Sequence, residues 1–158
     1  MKYVDTKVVF REIPDEIALA INISNCPVRC PGCHSSYLAQ DIGEILDENA
    51  LETLIKENTG ITCVSFMGGD AEPMLVGSYS RWIKFRFPGL KTAWYSGRDL
   101  SHAEINLDTL DYVKVGPYID EYGPLNSPTT NQRFYSISHE NGENRLCDRT
   151  SDFQSQRG

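Results

Sequence analysis

Apolar and polar positions change rhythm several times along the chain. Ile17-Ala18-Leu19-Ala20-Ile21-Asn22-Ile23 is almost continuously apolar, and a run without alternation suits a strand buried on both faces, as in a parallel sheet. Ile61 to Met67 and Lys91 to Tyr95 have the same character, and Tyr112 to Val115 adds a fourth core strand. Between these runs the period lengthens. Asp47 as N-cap, Ala50, Leu51, Leu54 and Ile55 on one face and Gly60 as stop predict a helix. Pro73 suits the first turn of a second helix, with Leu75, Tyr79, Trp82 and Ile83 along one side and Pro88-Gly89 closing it. A short helix is expected around Leu100 to Leu107. Val8-Val9-Phe10 reads as an edge strand or hairpin arm, and Phe134 to Ile137 as a last strand.

Strands alternating with helices imply right-handed βαβ units and a parallel sheet. The pattern supplies about five or six strands, too few for the eight of a closed (β/α)₈ barrel. The expected fold is therefore α/β: a single domain forming an open, partial (β/α) barrel of mainly parallel strands. Residues 1–137 would form it. Residues 138–158 are polar, with only Leu146, Cys147 and Phe153 breaking the pattern, and are expected as a mobile tail.

Bulk composition narrows the function. A chain of 158 residues, 40% hydrophobic and 23% charged, is an ordinary globular domain. Its net charge of −7 argues against a nucleic-acid partner, because phosphate binding needs a basic face. No stretch approaches the roughly 18 apolar residues of a membrane span. Met1 to Arg11 contains no apolar signal region. Five cysteines without such a signal suggest a reducing compartment, the cytoplasm, where thiols serve metals or catalysis.

Three of those cysteines lie in Asn25-Cys26-Pro27-Val28-Arg29-Cys30-Pro31-Gly32-Cys33-His34. The prolines and Gly32 forbid regular structure there and favour a tight loop pointing three thiols at one spot. Four chemistries suit such a loop. Zinc would need His34 as fourth ligand, yet adjacent Cys33 and His34 reach two corners of one tetrahedron poorly. Cys30 to His34 also matches the c-type haem attachment signature, whose chemistry requires export. Cys30 and Cys33 alone make a dithiol redox pair and leave Cys26 idle. All three cysteines together can hold a 4Fe-4S cluster with one iron open. The loop follows the first core strand, and ligand sites of α/β folds form beyond the carboxyl ends of strands.

The loop resembles the cluster loop of the radical S-adenosylmethionine superfamily. Its Cys-Pro-Gly-Cys-His ending is most similar to the activating proteins of anaerobic ribonucleoside-triphosphate reductase, which also carry glycine before the third cysteine. Phe66-Met67-Gly68-Gly69-Asp70 resembles the family's strand-end Gly-Gly-Glu motif, with Asp for Glu. Tyr95-Ser96-Gly97, Val115-Gly116-Pro117-Tyr118 and Asn131-Gln132-Arg133 resemble further family segments, so the likeness covers roughly residues 1 to 137. It implies a shortened radical-SAM core and a definite chemistry. A reduced 4Fe-4S cluster on Cys26, Cys30 and Cys33 cleaves S-adenosylmethionine to a 5′-deoxyadenosyl radical, which installs a glycyl radical on the large subunit of the reductase. An unidentified one-electron donor would be needed. A sister reading is activation of pyruvate formate-lyase or a similar glycyl-radical enzyme. Readings of other classes are a thiol–disulfide oxidoreductase using Cys30 and Cys33, and a metal-stapled binding module with no chemistry of its own.

The resemblance also suggests roles for single residues. Gly32, Cys33 and His34 would give backbone contacts to the adenine side. Gly68 and Gly69 would let the backbone approach the ligand, although a plain strand-to-helix turn also needs them. Asp70 would accept a hydrogen bond from the methionine ammonium. Ser96 would bind the carboxylate or ribose, and Lys114 would pair with the same carboxylate, the alternatives being a turn serine and a lysine with its head in solvent. Cys63 reads as a core residue, and Cys147 has no assigned role. The tyrosine-rich segment from Tyr112 to Tyr122 suits a partner-facing surface, and core packing explains some of it equally well.

Overall fold

The computed structural model describes residues 1–24, 40–99 and 107–154. It contains eight strands and three helices: β1 (Lys2–Val9), β2 (Ala18–Ile23), β3 (Glu44–Ile45), α1 (Glu48–Glu57), β4 (Cys63–Met67), α2 (Pro73–Arg86), β5 (Lys91–Tyr95), β6 (Tyr112–Val115), β7 (Arg133–Glu140), β8 (Glu143–Asp148) and α3 (Thr150–Gln154). All eight strands lie in one mixed sheet of order β3-β1-β2-β4-β5-β6-β7-β8. The middle four, β2-β4-β5-β6, are parallel neighbours, while β1, β3, β7 and β8 add antiparallel flanks.

The four parallel strands are the apolar runs of the sequence, and they are buried on both faces for the reason those runs suggest. On one face Leu19, Ile21, Ile23, Val64, Phe66, Trp94, Val113 and Val115 form a core with Leu51 and Ile55 of α1 and Val76, Tyr79 and Ile83 of α2. α1 starts where Asp47 Oδ1 accepts the Ala50 amide at 2.8 Å, the expected N-cap. α2 starts on Pro73 and ends at Arg86, two residues before Pro88. The helix expected at residues 100–107 falls mostly on residues outside those described, and Leu107–Thr109 is a single 3-10 turn.

On the opposite face Ala18, Ala20, Cys63, Ala93, Tyr112 and Phe134 meet Val9, Ile13 and Phe153. The connection between β1 and β2 folds back over the start of the parallel strands. Ile13 is fully buried there, the Tyr95 hydroxyl donates to Glu12 C=O, and Glu16 Oε2 accepts from Tyr112 and Lys91, each at 3.2 Å. One end of this face is thus packed with protein. The other end carries the carboxyl termini of the parallel strands.

Two stretches fold differently from the sequence expectation. Val8 and Val9 are only the end of an eight-residue strand, and Phe10 lies beyond it. Of the two expected roles β1 takes that of a hairpin arm, paired antiparallel with β2, and is not at the sheet's edge because β3 pairs outside it. The segment after residue 137, expected as a mobile tail, is built into the domain through residue 154. Asn141 and Gly142, at φ +53° and +77°, join β7 to β8 as a two-residue hairpin with Glu140 opposite Glu143. Both positive φ values suit the turn that follows sheet twist. α3 then returns Phe153 to the core, its ring 5.0 Å from that of Phe134, while Thr150 Oγ1 accepts the Phe134 amide at 2.9 Å.

Candidate functional site

Three of the residues singled out from the sequence come together at the carboxyl edge of β4, β5 and β6. Register explains the meeting: Met67 pairs with Tyr95 and Tyr95 with Lys114, so the residues that follow on β4 and β5 emerge side by side. Ser96 Oγ donates to Asp70 Oδ1 at 2.5 Å. The Gly97 amide donates to Asp70 Oδ2 at 2.8 Å. Asp70 is 2% exposed and Ser96 fully buried, so a carboxylate is tied to two donors in a region of low dielectric, where such bonds are strong. Lys114 Nζ donates to the Ser96 and Gly116 carbonyls at 3.1 and 3.0 Å and lies 5.9 Å above the Tyr95 ring. These bonds lace three strand ends into one rim.

Gly68 and Gly69 form the turn that carries β4 into this rim. Both have positive φ, +111° and +94°. A side chain on Gly68 would lie 3.1 Å from the Ile23 carbonyl, and one on Gly69 2.8 Å from Val76 Cγ2. Close approach is therefore real at both, with Ile23 and Val76 as the neighbours that require it. The turn is further pinned by Trp94 Nε1, which donates to Gly68 C=O at 2.6 Å, and by the Gly68 amide on Tyr95 C=O at 3.0 Å.

Two more groups at this edge had no assigned role in the sequence. Gln132 Nε2 joins Lys114 on the Gly116 carbonyl at 3.3 Å. Asn131 Nδ2 donates to Pro117 C=O at 3.0 Å, while its Oδ1 is buried with no hydrogen-bond partner. Burial and unpaired status of single atoms leave no mark in residue types or spacing, so this feature comes only from the fold.

Cys26, Cys30, Gly32, Cys33 and His34 lie outside the described residues. Their place in the chain is still bounded at both ends. Ser24, which follows β2, and Asp41, one residue after the chain is described again, both line a cavity of about 210 Å³ with Ile23, Gly69 and Glu72. The described residues on either side of the segment thus meet at the carboxyl edge of β2, beside the Gly68-Gly69 turn. Among the described residues no three His, Cys, Asp or Glu side chains gather as a metal site. A cluster would have to use the three clustered thiols, and their number and softness suit iron–sulfur ligation.

The other two cysteines are placed differently. Cys63 is fully buried in β4, as its apolar surroundings suggest, and burial pushes its thiol well above the usual range, with Glu16 adding to the shift. Cys147 is exposed on β8 and borders a cleft of about 250 Å³ with Lys91 and Asp111. That cleft lies at the amino ends of the parallel strands. Two of its charged groups are already engaged, Lys91 with Glu16 and Asp111 with Lys84 and the Thr92 amide. We place the functional site at the carboxyl edge.

A family model described as a 4Fe-4S single cluster domain matches residues 17–134. The chain belongs to this family. The matched region begins just before β2, contains all three loop cysteines and ends in β7, so it spans the whole parallel sheet and the rim. No curated protein and no solved structure matches the chain at a significant level. For a 4Fe-4S single cluster domain the sequence order is coherent: the three cysteines follow the first parallel strand in the chain. No helix among the described residues is long and apolar enough to cross a membrane.

Proposed function

We propose that this 4Fe-4S domain is a radical S-adenosylmethionine activating enzyme that installs a glycyl radical on the large subunit of anaerobic ribonucleoside-triphosphate reductase. The observation that carries the reading is the C-x-x-x-C-x-x-C motif, which follows β2 directly in the sequence. Three thiolates there would hold three irons and leave the fourth to the amino and carboxylate groups of S-adenosylmethionine. Once bound and reduced, such a cluster would supply the one electron needed to split the sulfonium into methionine and a 5′-deoxyadenosyl radical. Transfer of a hydrogen atom from the target glycine would then leave 5′-deoxyadenosine and the glycyl radical.

The chain's own residues position and shield. Gly32, Cys33 and His34 would contact the adenine side through their backbone. The Gly68-Gly69 turn brings Asp70 to the rim, where it holds Ser96 Oγ and the Gly97 amide. Each carboxylate oxygen keeps an acceptor position for the ammonium. Lys114 puts a buried cation under the same edge, next to Ser96, where it offsets a ligand carboxylate. The sheet would curl part-way into a shortened barrel with one side open. Through that opening the reductase would present its glycine, and its docking would exclude water from the reactive intermediate. The electron donor is a separate one-electron carrier, and the setting is the reducing cytoplasm.

The test uses anaerobically purified protein. Iron and acid-labile sulfide should be present in wild type and lost in Cys26→Ala, Cys30→Ala and Cys33→Ala, while Cys63→Ala and Cys147→Ala keep both. With S-adenosylmethionine, an electron source and the reductase, wild type should give a glycyl doublet by electron paramagnetic resonance, and none without the reductase. Absence of the doublet on an authentic reductase rejects the activating role. Full activity in Cys26→Ala would point instead to a dithiol made of Cys30 and Cys33.

A further inference from the structure

We propose that Asn131 is a ligand-recognition residue: its carboxamide oxygen accepts a hydrogen bond from the adenosyl half of S-adenosylmethionine. The proposal rests on the reading of the site given above. Asn131 Oδ1 is the buried side-chain polar atom left without a partner among the described residues. Its direction is fixed. Nδ2 donates to Pro117 C=O at 3.0 Å, and turning the amide over would set two acceptors against each other. Buried acceptors are costly to leave unmet and are paired in the great majority of folded proteins. A buried acceptor fixed in this way and left unmet suits a donor that arrives with a ligand.

The neighbours of Asn131 are satisfied, which isolates the exception. The Gln132 amide donates to Thr130 Oγ1 at 3.0 Å, and Gln132 Nε2 to Gly116 C=O at 3.3 Å. The Asn131 backbone carbonyl also packs against Gly116, so the residue sits where β6 ends and β7 begins. This is the carboxyl edge of the parallel strands, where open α/β sheets bind their ligands.

Sheet order assigns the half of the ligand. The cysteine segment leaves from the end of β2, and β6 is three steps away in the order β2-β4-β5-β6. At ~4.8 Å per step that is ~14 Å across the sheet. In the proposed reading the methionine end is held at the cluster, beside β2. A group that reaches Asn131 must belong to the far end, where the ribose hydroxyls and the adenine exocyclic amine are the available donors.

The test is calorimetric titration of the anaerobically reconstituted holoprotein with S-adenosylmethionine. Asn131→Ala should bind about tenfold more weakly than wild type, a difference of about 1.4 kcal/mol, with unchanged cluster content. L-Methionine alone should perturb the resonance of the reduced cluster equally in both proteins. If the alanine variant loses its cluster, Asn131→Leu, which fills the volume without an acceptor, reads the same quantity. Affinity within twofold of wild type in a cluster-loaded variant overturns the proposal, and so does an equal loss of the methionine response. If wild type itself fails to bind S-adenosylmethionine, the functional reading falls and this proposal with it.

Discussion

Removing the Asp70 carboxylate should destabilise the protein even when no ligand is present. Asp70→Ala would leave two donors stranded, the buried Ser96 hydroxyl and the Gly97 amide. A hydrogen bond to a charged group contributes about 1.5–3 kcal/mol, so the two together set an upper figure of about 6 kcal/mol. Relief of the carboxylate's own desolvation offsets part of that, while each stranded donor costs about 1–3 kcal/mol. We expect a loss of about 3 kcal/mol, a large share of the roughly 5–15 kcal/mol that holds a domain folded. For a chain of this size that corresponds to a fall in Tm of roughly 6–12 °C. Ser96→Ala should cost less, about 1–2 kcal/mol, because Asp70 keeps the Gly97 amide while the Arg98 amide loses Ser96 Oγ. Urea denaturation of the two single variants and the double variant measures both the losses and their coupling, which should exceed about 0.5 kcal/mol for groups in direct contact. If Asp70→Ala changes stability by less than about 0.5 kcal/mol, the ordinary range for surface substitutions, the carboxylate does not bridge β4 to β5 and the rim is not a structural unit.

Two further outcomes test other parts of the fold. Phe153→Ala should cost about 3 kcal/mol by urea denaturation, the low end for a buried Phe, because its ring packs 5.0 Å from that of Phe134; a change below about 0.5 kcal/mol would mean that α3 is detached from the core. Alkali should also weaken the protein. Burial, reinforced by nearby acidic groups, raises the Cys63 thiol and the Tyr95 hydroxyl above their ordinary values, so the folded state holds these protons more tightly than the unfolded one. Their contribution is complete below the unfolded values, about 8.5 for Cys and about 10 for Tyr, and is lost as pH rises through and beyond them. Tm should therefore decline above about pH 8.5 and more steeply above about pH 10, with a smaller alkaline decline in Tyr95→Phe; a flat profile to about pH 11 would show that these groups titrate freely in the native fold.

The parts of the fold legible in the sequence were those whose burial leaves a mark on composition. β2, β4, β5 and β6 are covered on both faces, so their residues had to be apolar, and their runs announced themselves. β8 carries no such mark. Its residues are mostly exposed, and what holds it is the backbone ladder to β7, which any side chain can accompany. Its signal was instead local: Asn141-Gly142, a dipeptide suited to positive φ at both positions, between two chain segments of polar residues. Leu146 opposite Ile137 and Phe153 beyond them then had a core to join. β1 was under-read for a related reason. Tyr3, Asp5 and Lys7 interrupt its hydrophobic pattern, and one of them, Asp5, is answered across the strand pair by Asn22 at 2.6 Å.

The site divides along the same line. Gly68-Gly69-Asp70 could be recognised as a strand end from residue types, but what Asp70 holds depends on register. Pairing of Met67 with Tyr95 sets the end of β4 beside Ser96 and Gly97, and no spacing within one segment encodes that neighbour. The departure from the resembling motif, Asp where the family has Glu, makes sense in this geometry. A side chain one methylene shorter ends within the rim, at bonding distance from Ser96 Oγ and the Gly97 amide, whereas the longer acid would carry its charge past those donors. The shorter acid favours preorganisation of the strand ends, and an ammonium would meet a carboxylate already fixed by two donors. A fixed acceptor loses little entropy on binding and is aimed before the ligand arrives. Asn131 follows the same physical rule on the far side of the rim: its amide is oriented by Pro117, and the oxygen so oriented is the one still without a donor.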